Sequence, residues 1–204
     1  MKFIKKNIFL FIISIFHLVG IIGFLWFPDV FKKLSPVNLL LSASLVLFAS
    51  ERNKKIYFSL FSIAVIGFFI EVIGVKTGYI FGTYNYGEAF GLSFLSVPLI
   101  IGLNWAILLY STSQFCKFNN QIVNVLFGSF LMTFMDIFIE HIASKYDFWY
   151  WENNIIPFKN YVAWFLISMG LNLLFQKTLS KNSNNIAKGF YIIQLIFFVI
   201  LNVF

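Results

Sequence analysis

Long apolar runs separated by short polar breaks make up almost the whole chain. The first run, at about 7–27, follows the basic segment Met1–Lys6 and is too long for the hydrophobic region of a cleaved signal peptide. The later runs lie at about 36–50, 56–75, 94–116, 121–143, 159–177 and 186–204. A helix needs about 20 apolar residues to cross a bilayer. The pattern therefore predicts an all-α, polytopic transmembrane helix bundle of about seven spans that forms one domain over residues 1–204.

The composition excludes a water-soluble domain. Hydrophobic residues make up 60% of the 204 residues and charged residues 11%, whereas soluble domains have about 45–50% and about 25%. Basic cytoplasmic loops explain the net charge of +7, so we expect no nucleic-acid partner. The single cysteine, Cys116, excludes a disulfide framework and a cysteine-based metal site.

The distribution of Lys and Arg predicts an orientation. If the N-terminus is inside, ten of the 15 basic residues lie in cytoplasmic segments and five in outer segments. Because cytoplasmic loops are enriched in basic residues, this bias favours an N-in, C-out topology in the cell (inner) membrane. The ten cytoplasmic residues are Lys2, Lys5, Lys6, Arg52, Lys54, Lys55, Lys117, Lys177, Lys181 and Lys188.

Three carboxylates inside the apolar runs are the candidates for chemistry, because a charged side chain is costly in a membrane span. Glu71 shares one helical face with Gly67 and Gly74, and glycines allow a neighbouring backbone to approach closely. Asp136 and Glu140 follow one another at i, i+4 on a polar stripe of the fifth run. A structural polar clamp between helices is the alternative interpretation of all three.

All three carboxylates are expected near the outer end of the bundle. Counting back from the boundary at Lys76, Glu71 lies about 7 Å deep, and Asp136 lies about 10 Å below the end of its run. The two longer loops, 76–94 and 144–158, are at the same end and are rich in aromatic residues. An interfacial aromatic belt is the alternative interpretation of their tryptophans.

Other membrane chemistries are disfavoured by the residues that they would require. Asp136 and Glu140 form one acidic pair without a second acidic cluster or an arginine in any span, so a metal-dependent diphosphate site is not expected. A retinal protein would need a lysine midway along the last helix, but Lys188 stands at its start. We therefore predict no metal and no cofactor.

Several of these residues form spaced motifs. The first half contains Glu71-x2-Gly74-x3-Gly78-x2-Phe81-Gly82-x-Tyr84-x-Tyr86, then Val97-Pro98-Leu99 and Trp105. The second half contains Met135-Asp136-x3-Glu140, Trp149-x-Trp151, Pro157, Asn160 and Trp164. Over about residues 65–177 the chain resembles the integral-membrane carotenoid biosynthesis protein family, which includes bisanhydrobacterioruberin hydratases and gamma-carotene 1'-hydratases.

The resemblance implies addition of water across the terminal C1=C2 double bond of an acyclic carotenoid, giving a 1-hydroxy product without a cofactor. Its expected partners are a C40-type carotenoid, the lipid bilayer and, as a further option, other enzymes of the carotenoid pathway. Acid catalysis fits, because a desolvated carboxyl group favours its protonated form and aromatic faces stabilise cations. The expected catalytic residues are Asp136, Glu71 and Glu140. The expected substrate-binding residues are Tyr84, Tyr86, Phe81, Asn104, Trp105, Trp149, Trp151, Asn160 and Trp164.

Two alternatives remain open at this point. A carotenoid end-group cyclase or isomerase would form the same carbocation but exclude water, and Thr133 and Asn104 near Asp136 favour hydration as water-positioning residues. A small transporter or structural membrane protein would use Glu71 and Asp136 as a proton or ion relay. The clustering of the acids at one end argues against a path through the membrane.

Overall fold

The computed structural model describes residues 2–51 and 53–204, with side chains from residue 8 onward. Met1, Arg52 and the side chains of the basic head at residues 2–7 therefore lie outside the described residues, together with their share of the predicted charge bias.

Helices dominate the described part of the chain. Seven α-helices are present: α1 (Lys2–Trp26), α2 (Pro28–Ala49), α3 (Lys54–Thr77), α4 (Ile100–Ser113), α5 (Gln121–Ala143), α6 (Phe158–Leu179) and α7 (Asn185–Val203). Four short strands lie in the loops: β1 (Tyr84–Tyr86), β2 (Ser93–Phe94), β3 (Val97–Pro98) and β4 (Trp149–Trp151). All the helices except α4 are long and apolar enough to cross a membrane. The predicted all-α, multi-pass bundle is confirmed.

Consecutive helices run in alternating directions, whereas α1 and α7 run in the same direction. Gly189, near the start of α7, faces Leu10 of α1, and Gly20, further along α1, faces Phe197 of α7. The start of α1 and the end of α7 consequently lie at opposite ends of the bundle. The side of the membrane on which each terminus lies stays a prediction.

The second helix is longer than predicted. We expected it at about 36–50, but α2 begins at Pro28 and continues through Pro36. Proline is favoured at the first position of a helix, where its missing N–H needs no partner. The charges that suggested a loop are accommodated on the helix, because Lys32 pairs with Asp29 at 3.1 Å and with Asp147 at 3.7 Å.

The fourth helix is shorter than predicted. The apolar run at 94–116 begins with the β2–β3 hairpin, in which Leu95 and Ser96 have positive φ angles. Pro98 ends the hairpin, so α4 starts only at Ile100 and ends at Ser113. Its 14 residues rise about 21 Å, less than the hydrocarbon core, but twelve of them are buried.

The two longer loops are joined by backbone pairing. Strand β1, in the loop after α3, pairs antiparallel with β4, in the loop after α5, with Tyr84 opposite Trp151 and Tyr86 opposite Trp149. This small sheet covers one end of the bundle, which we call the carboxylate end because the three acidic residues lie beneath it.

Candidate active site

Glu71 is held by three donors from α4 and from strand β1. The hydroxyl groups of Tyr84 and Tyr86 donate to Oε2 at 2.5 and 2.9 Å, and Trp105 Nε1 donates to Oε1 at 3.0 Å. Both carboxylate oxygens are thus occupied as acceptors. Burial and the adjacent carboxylate raise the pKa of Tyr84 and of Tyr86 far above the usual range, so both remain neutral donors.

Glu140 is held in the same way by strand β4 and by α6. Trp149 Nε1 and Trp151 Nε1 donate to its Oε2 at 2.9 and 2.6 Å. Asn160 Nδ2 donates to its Oε1 at 2.9 Å. The two loop tryptophans therefore anchor a buried carboxylate instead of forming only an interfacial belt.

Asp136 differs from the other two carboxyl groups. Asn160 Nδ2 donates to its Oδ2 at 3.1 Å, so one amide bridges Asp136 and Glu140. Its other oxygen, Oδ1, is buried and has no hydrogen-bond partner among the described residues. Asp136 is the one of the three carboxyl groups that keeps a free oxygen.

Glycines allow this packing, but the groups that approach them are aromatic side chains and not the neighbouring backbone that we predicted. A Cβ on Gly67 would stand 2.6 Å from the Trp105 side chain, and a Cβ on Gly74 would stand 2.5 Å from Phe81. Both positions lie on the Glu71 face of α3. Larger residues there would displace Trp105 and the β1 loop, and with them the donors to Glu71.

A cavity of about 440 Å³ opens beside the three carboxyl groups. Its walls are mainly apolar and aromatic, with side chains from α1, α2 and α7 facing those of the carboxylate end. Four of the lining residues are also exposed on the outer surface of α1 and α2: Phe16, Val19, Leu34 and Val37. The cavity therefore reaches the lipid-facing surface between these two helices.

The family model described as carotenoid biosynthesis protein matches residues 34–204. The chain belongs to the carotenoid biosynthesis protein family. No curated protein and no solved structure gives a significant match to it. Membership gives this membrane protein a role in carotenoid biosynthesis. The molecules that it would work among are hydrophobic carotenoids and the lipids of the bilayer.

The family match contains all twelve residues expected at the site and excludes α1 and residues 28–33 of α2. Eleven of the twelve line the cavity, among them Phe81, Asn104 and Asn160. Trp105 is the exception. Its ring stacks on that of Trp164 with centroids 4.1 Å apart, and its N–H holds Glu71, so it lies behind the cavity wall.

Thr133, which we expected to position water, does not line the cavity. Its hydroxyl group donates to the backbone carbonyl of Ser129 at 3.1 Å, as threonine commonly does one turn back along a helix. Asn104 does line the cavity and is half-buried.

Sequence reasoning missed the contribution of three helices. His17 on α1, Asn38 and Ser42 on α2, and Gln194 on α7 all line the same cavity. The available signal was the spacing on α2, where Ser35, Asn38 and Ser42 repeat at i, i+3 and i+7 and so share one face.

In the part of the chain that the structure describes, no cation pairs with the three carboxyl groups. Among the described residues, the only ion pairs are those of Lys32 with Asp29 and Asp147, outside the cavity. Nor does any group of three or more His, Cys, Asp and Glu side chains in the described part have the geometry of a metal site. The hydrogen-bond partners of the three carboxyl groups are neutral N–H and O–H donors.

Proposed function

We propose that the protein is a carotenoid 1,2-hydratase, which adds water across the terminal C1=C2 double bond of an acyclic carotenoid by acid catalysis. One observation carries the proposal: Asp136 presents a buried oxygen without a partner to an aromatic cavity. A protonated carboxyl group at that point is a proton donor shielded from bulk water.

The hydrogen bonds support Asp136 as the acid. The indole N–H groups on Glu71 and Glu140 can only donate, so these two carboxyl groups must accept and are suited to the ionised form. Three neighbouring carboxyl groups cannot all be ionised in a buried site. The proton therefore resides on Asp136, whose Oδ1 is free to carry it.

The reaction then proceeds in two steps. The Asp136 carboxyl group transfers its proton to C2, and the alkene electron pair forms the new C–H bond and leaves a tertiary cation at C1. Water adds to C1, and the resulting oxonium returns a proton to the Asp136 carboxylate. The product is a tertiary alcohol, and the enzyme regains its starting state.

The remaining site residues stabilise the cation. The carboxylates of Glu71 and Glu140 supply negative charge, and the faces of Trp164 and Tyr84 line the cavity. A cation–π contact in a desolvated site contributes about 2 kcal/mol or more. Trp105 does not line the cavity, but it stacks on Trp164 and orients Glu71.

The lipid-facing side of the cavity suits an apolar substrate. A carotenoid dissolved in the bilayer reaches the cavity between α1 and α2, past exposed side chains such as Phe16 and Val37. Its end group then lies beside the carboxyl groups, while the rest of the polyene remains in apolar surroundings.

Expression in a host that makes lycopene tests this function. Extracted pigments should gain the mass of one water, or of two if both ends react. A cyclase would leave the mass unchanged and alter the absorption spectrum. Unaltered lycopene, with the protein present in the membrane, would contradict both enzymes and favour the relay or structural role.

A further inference from the structure

A second set of polar groups lines the cavity away from the carboxyl groups. We call it the acceptor patch, and it consists of His17, Asn38, Ser42 and Gln194. Ser42 is fully buried and Gln194 is 8% exposed. The hydroxyl oxygen of Ser42 and the side-chain carbonyl oxygens of Asn38 and Gln194 have no hydrogen-bond partner among the described residues.

Unpartnered oxygens of this kind point to a bound group. Leaving a buried polar atom without a hydrogen bond costs free energy, so native proteins place ordered water or a ligand at such positions. Water needs two to four polar partners to be held in a buried site. The acceptor patch offers that number on three helices around one cavity.

The patch has the hydrogen-bonding groups that a water molecule requires. His17 Nδ1 lies 2.9 Å from the carbonyl oxygen of Ile13 and donates to it, so Nε2 keeps its lone pair. The carbonyl oxygens of Asn38 and Gln194 are further acceptors, and the amide N–H groups of the same two side chains are donors, so the patch can satisfy a molecule that both donates and accepts. A water that donates one hydrogen to such an acceptor can turn a lone pair towards C1, which is the orientation of a nucleophile, and keeps its other hydrogen for return to the Asp136 carboxylate.

The patch lies deeper in the bundle than the acid. Tyr191 and Asn202 of α7 bond to the carbonyl groups of Leu131 and Phe138 on α5, so the two helices run in the same direction. This register places Gln194 about 5 Å, or one helical turn, deeper than Asp136. An alkene end group in the cavity would thus meet the acid on one side and the patch on another.

We propose that the acceptor patch binds and orients the water that attacks C1, with Gln194 as its principal positioning residue. This inference rests on the proposed hydration. It assigns the two reactants to different parts of one cavity: the proton to Asp136, and the oxygen to residues that α1, α2 and α7 supply.

The test separates proton transfer from water addition. Purified enzyme is incubated with lycopene in D₂O, and both the alcohol and the deuterium in recovered alkene are measured by mass spectrometry. A C1 cation that is not attacked by water loses a hydrogen ion to the Asp136 carboxylate and becomes an alkene again. This alkene carries deuterium when the hydrogen that is lost is not the deuterium that was added.

For Gln194→Leu, and for a variant that also carries Asn38→Leu, we expect alcohol formation to fall about tenfold or more, the effect of one lost hydrogen bond to a reacting group. Deuterium incorporation into the alkene should continue. Asn185→Leu, an amide replacement at an exposed position of the same helix outside the cavity, is the matched control.

Three results would overturn the proposal. In the first, alcohol and deuterated alkene fall together, which indicates general damage to the site. In the second, neither changes. In the third, the variants change only the KM for a hydroxylated carotenoid relative to lycopene, which would assign the patch to a substrate hydroxyl group. A wild-type enzyme that forms neither alcohol nor deuterated alkene would overturn the hydratase itself, and the patch with it.

Discussion

The two ends of the bundle both contain buried polar clusters, but they are built differently. At the carboxylate end, Glu71, Asp136 and Glu140 border a cavity, and Asp136 Oδ1 has no partner among the described residues. At the opposite end, Gln114 and Asn184 form what we call the amide cluster. Gln114 Nε2 donates to the Leu179 carbonyl at 2.8 Å, and the Asn184 backbone N–H donates to Gln114 Oε1 at 2.9 Å.

Every polar atom of the Asn184 side chain is used. Its Nδ2 donates to the Val46 carbonyl and to the Tyr110 hydroxyl group, and its Oδ1 caps the start of α7. The amide cluster thus ties α2, α4, α6 and α7 together without leaving a free atom on this side chain. A buried polar group with all its hydrogen bonds formed stabilises the architecture, whereas a buried polar group with an unused hydrogen-bonding position that faces a cavity is available for chemistry.

The largest expected effect is a loss of turnover, without a loss of stability, when the acid at the carboxylate end is replaced. Asp136→Asn keeps the size of the side chain and its capacity for hydrogen bonding but removes the acid. General acid catalysis contributes about 10²–10⁴-fold, so turnover should fall by that order while thermal unfolding stays near wild type. Asp29→Asn, at a surface carboxylate whose side chain is 91% exposed, is the control and should leave turnover unchanged. Normal turnover of the Asp136 variant would move the acid to Glu71 or Glu140.

The next effect should appear only in stability. Asn184→Ala removes a helix cap, worth about 1 kcal/mol, and leaves buried groups of Tyr110 and α2 without a partner, at about 1–3 kcal/mol. Denaturation should therefore show a loss of about 3 kcal/mol, with turnover per folded molecule unchanged. Asn185→Ala, at the adjacent exposed position, is the control. Loss of turnover in the folded Asn184 variant would mean that the two ends are coupled.

A smaller effect is expected from the cation-stabilising wall. Trp164→Leu keeps the side chain apolar but removes the aromatic face, so about 2 kcal/mol of barrier lowering and roughly thirtyfold in turnover should be lost. Trp164→Phe should be milder. Trp26→Leu, at a tryptophan that is 70% exposed, serves as the control. A Leu variant within about threefold of wild type would show that Trp164 does not contact the cation.

The final prediction concerns the side of the membrane on which each end of the bundle lies. The substitutions that test it should leave activity unaffected. In a Cys116→Ser background, Asn85→Cys lies on an exposed loop at the carboxylate end, and Ser183→Cys is exposed at the amide end. An impermeant thiol reagent should label only Asn85→Cys in intact cells, in keeping with the N-in topology. The reverse pattern would place the carboxylate end on the cytoplasmic side.

Local patterns of the sequence predicted much of the candidate site. Helical spacing placed Gly67 beside Glu71 and put Asp136 and Glu140 on one face, and the structure has both arrangements. The pairing of β1 with β4 was not predictable, because it joins loops about 60 residues apart through backbone atoms. The direction of the hydrogen bonds from Trp149 and Trp151 depends on that pairing and was missed with it.

The acceptor patch could not be recognised for a related reason. His17 and Gln194 are isolated polar residues in otherwise apolar helices, and such residues commonly bond to their own backbone. Only the packing of α1 and α7 against α2 brings them to the same cavity as Asn38. The lengths of α2 and α4 were also misjudged. Proline begins a helix at Pro28 and ends a hairpin at Pro98, so the residue type alone does not predict which of the two occurs.

The most direct test of the central claim follows one hydrogen and the oxygen of water into the product. Wild-type enzyme and the Asp136→Asn variant are incubated with lycopene in D₂O enriched in ¹⁸O, and the alcohol is analysed by mass spectrometry and NMR. The wild type should place one deuterium at C2 and one ¹⁸O at C1, and the variant should form neither bond at a comparable rate. A product without solvent oxygen, or deuteration of C2 by the variant at the wild-type rate, would contradict the assignment of Asp136 as the acid of a hydratase.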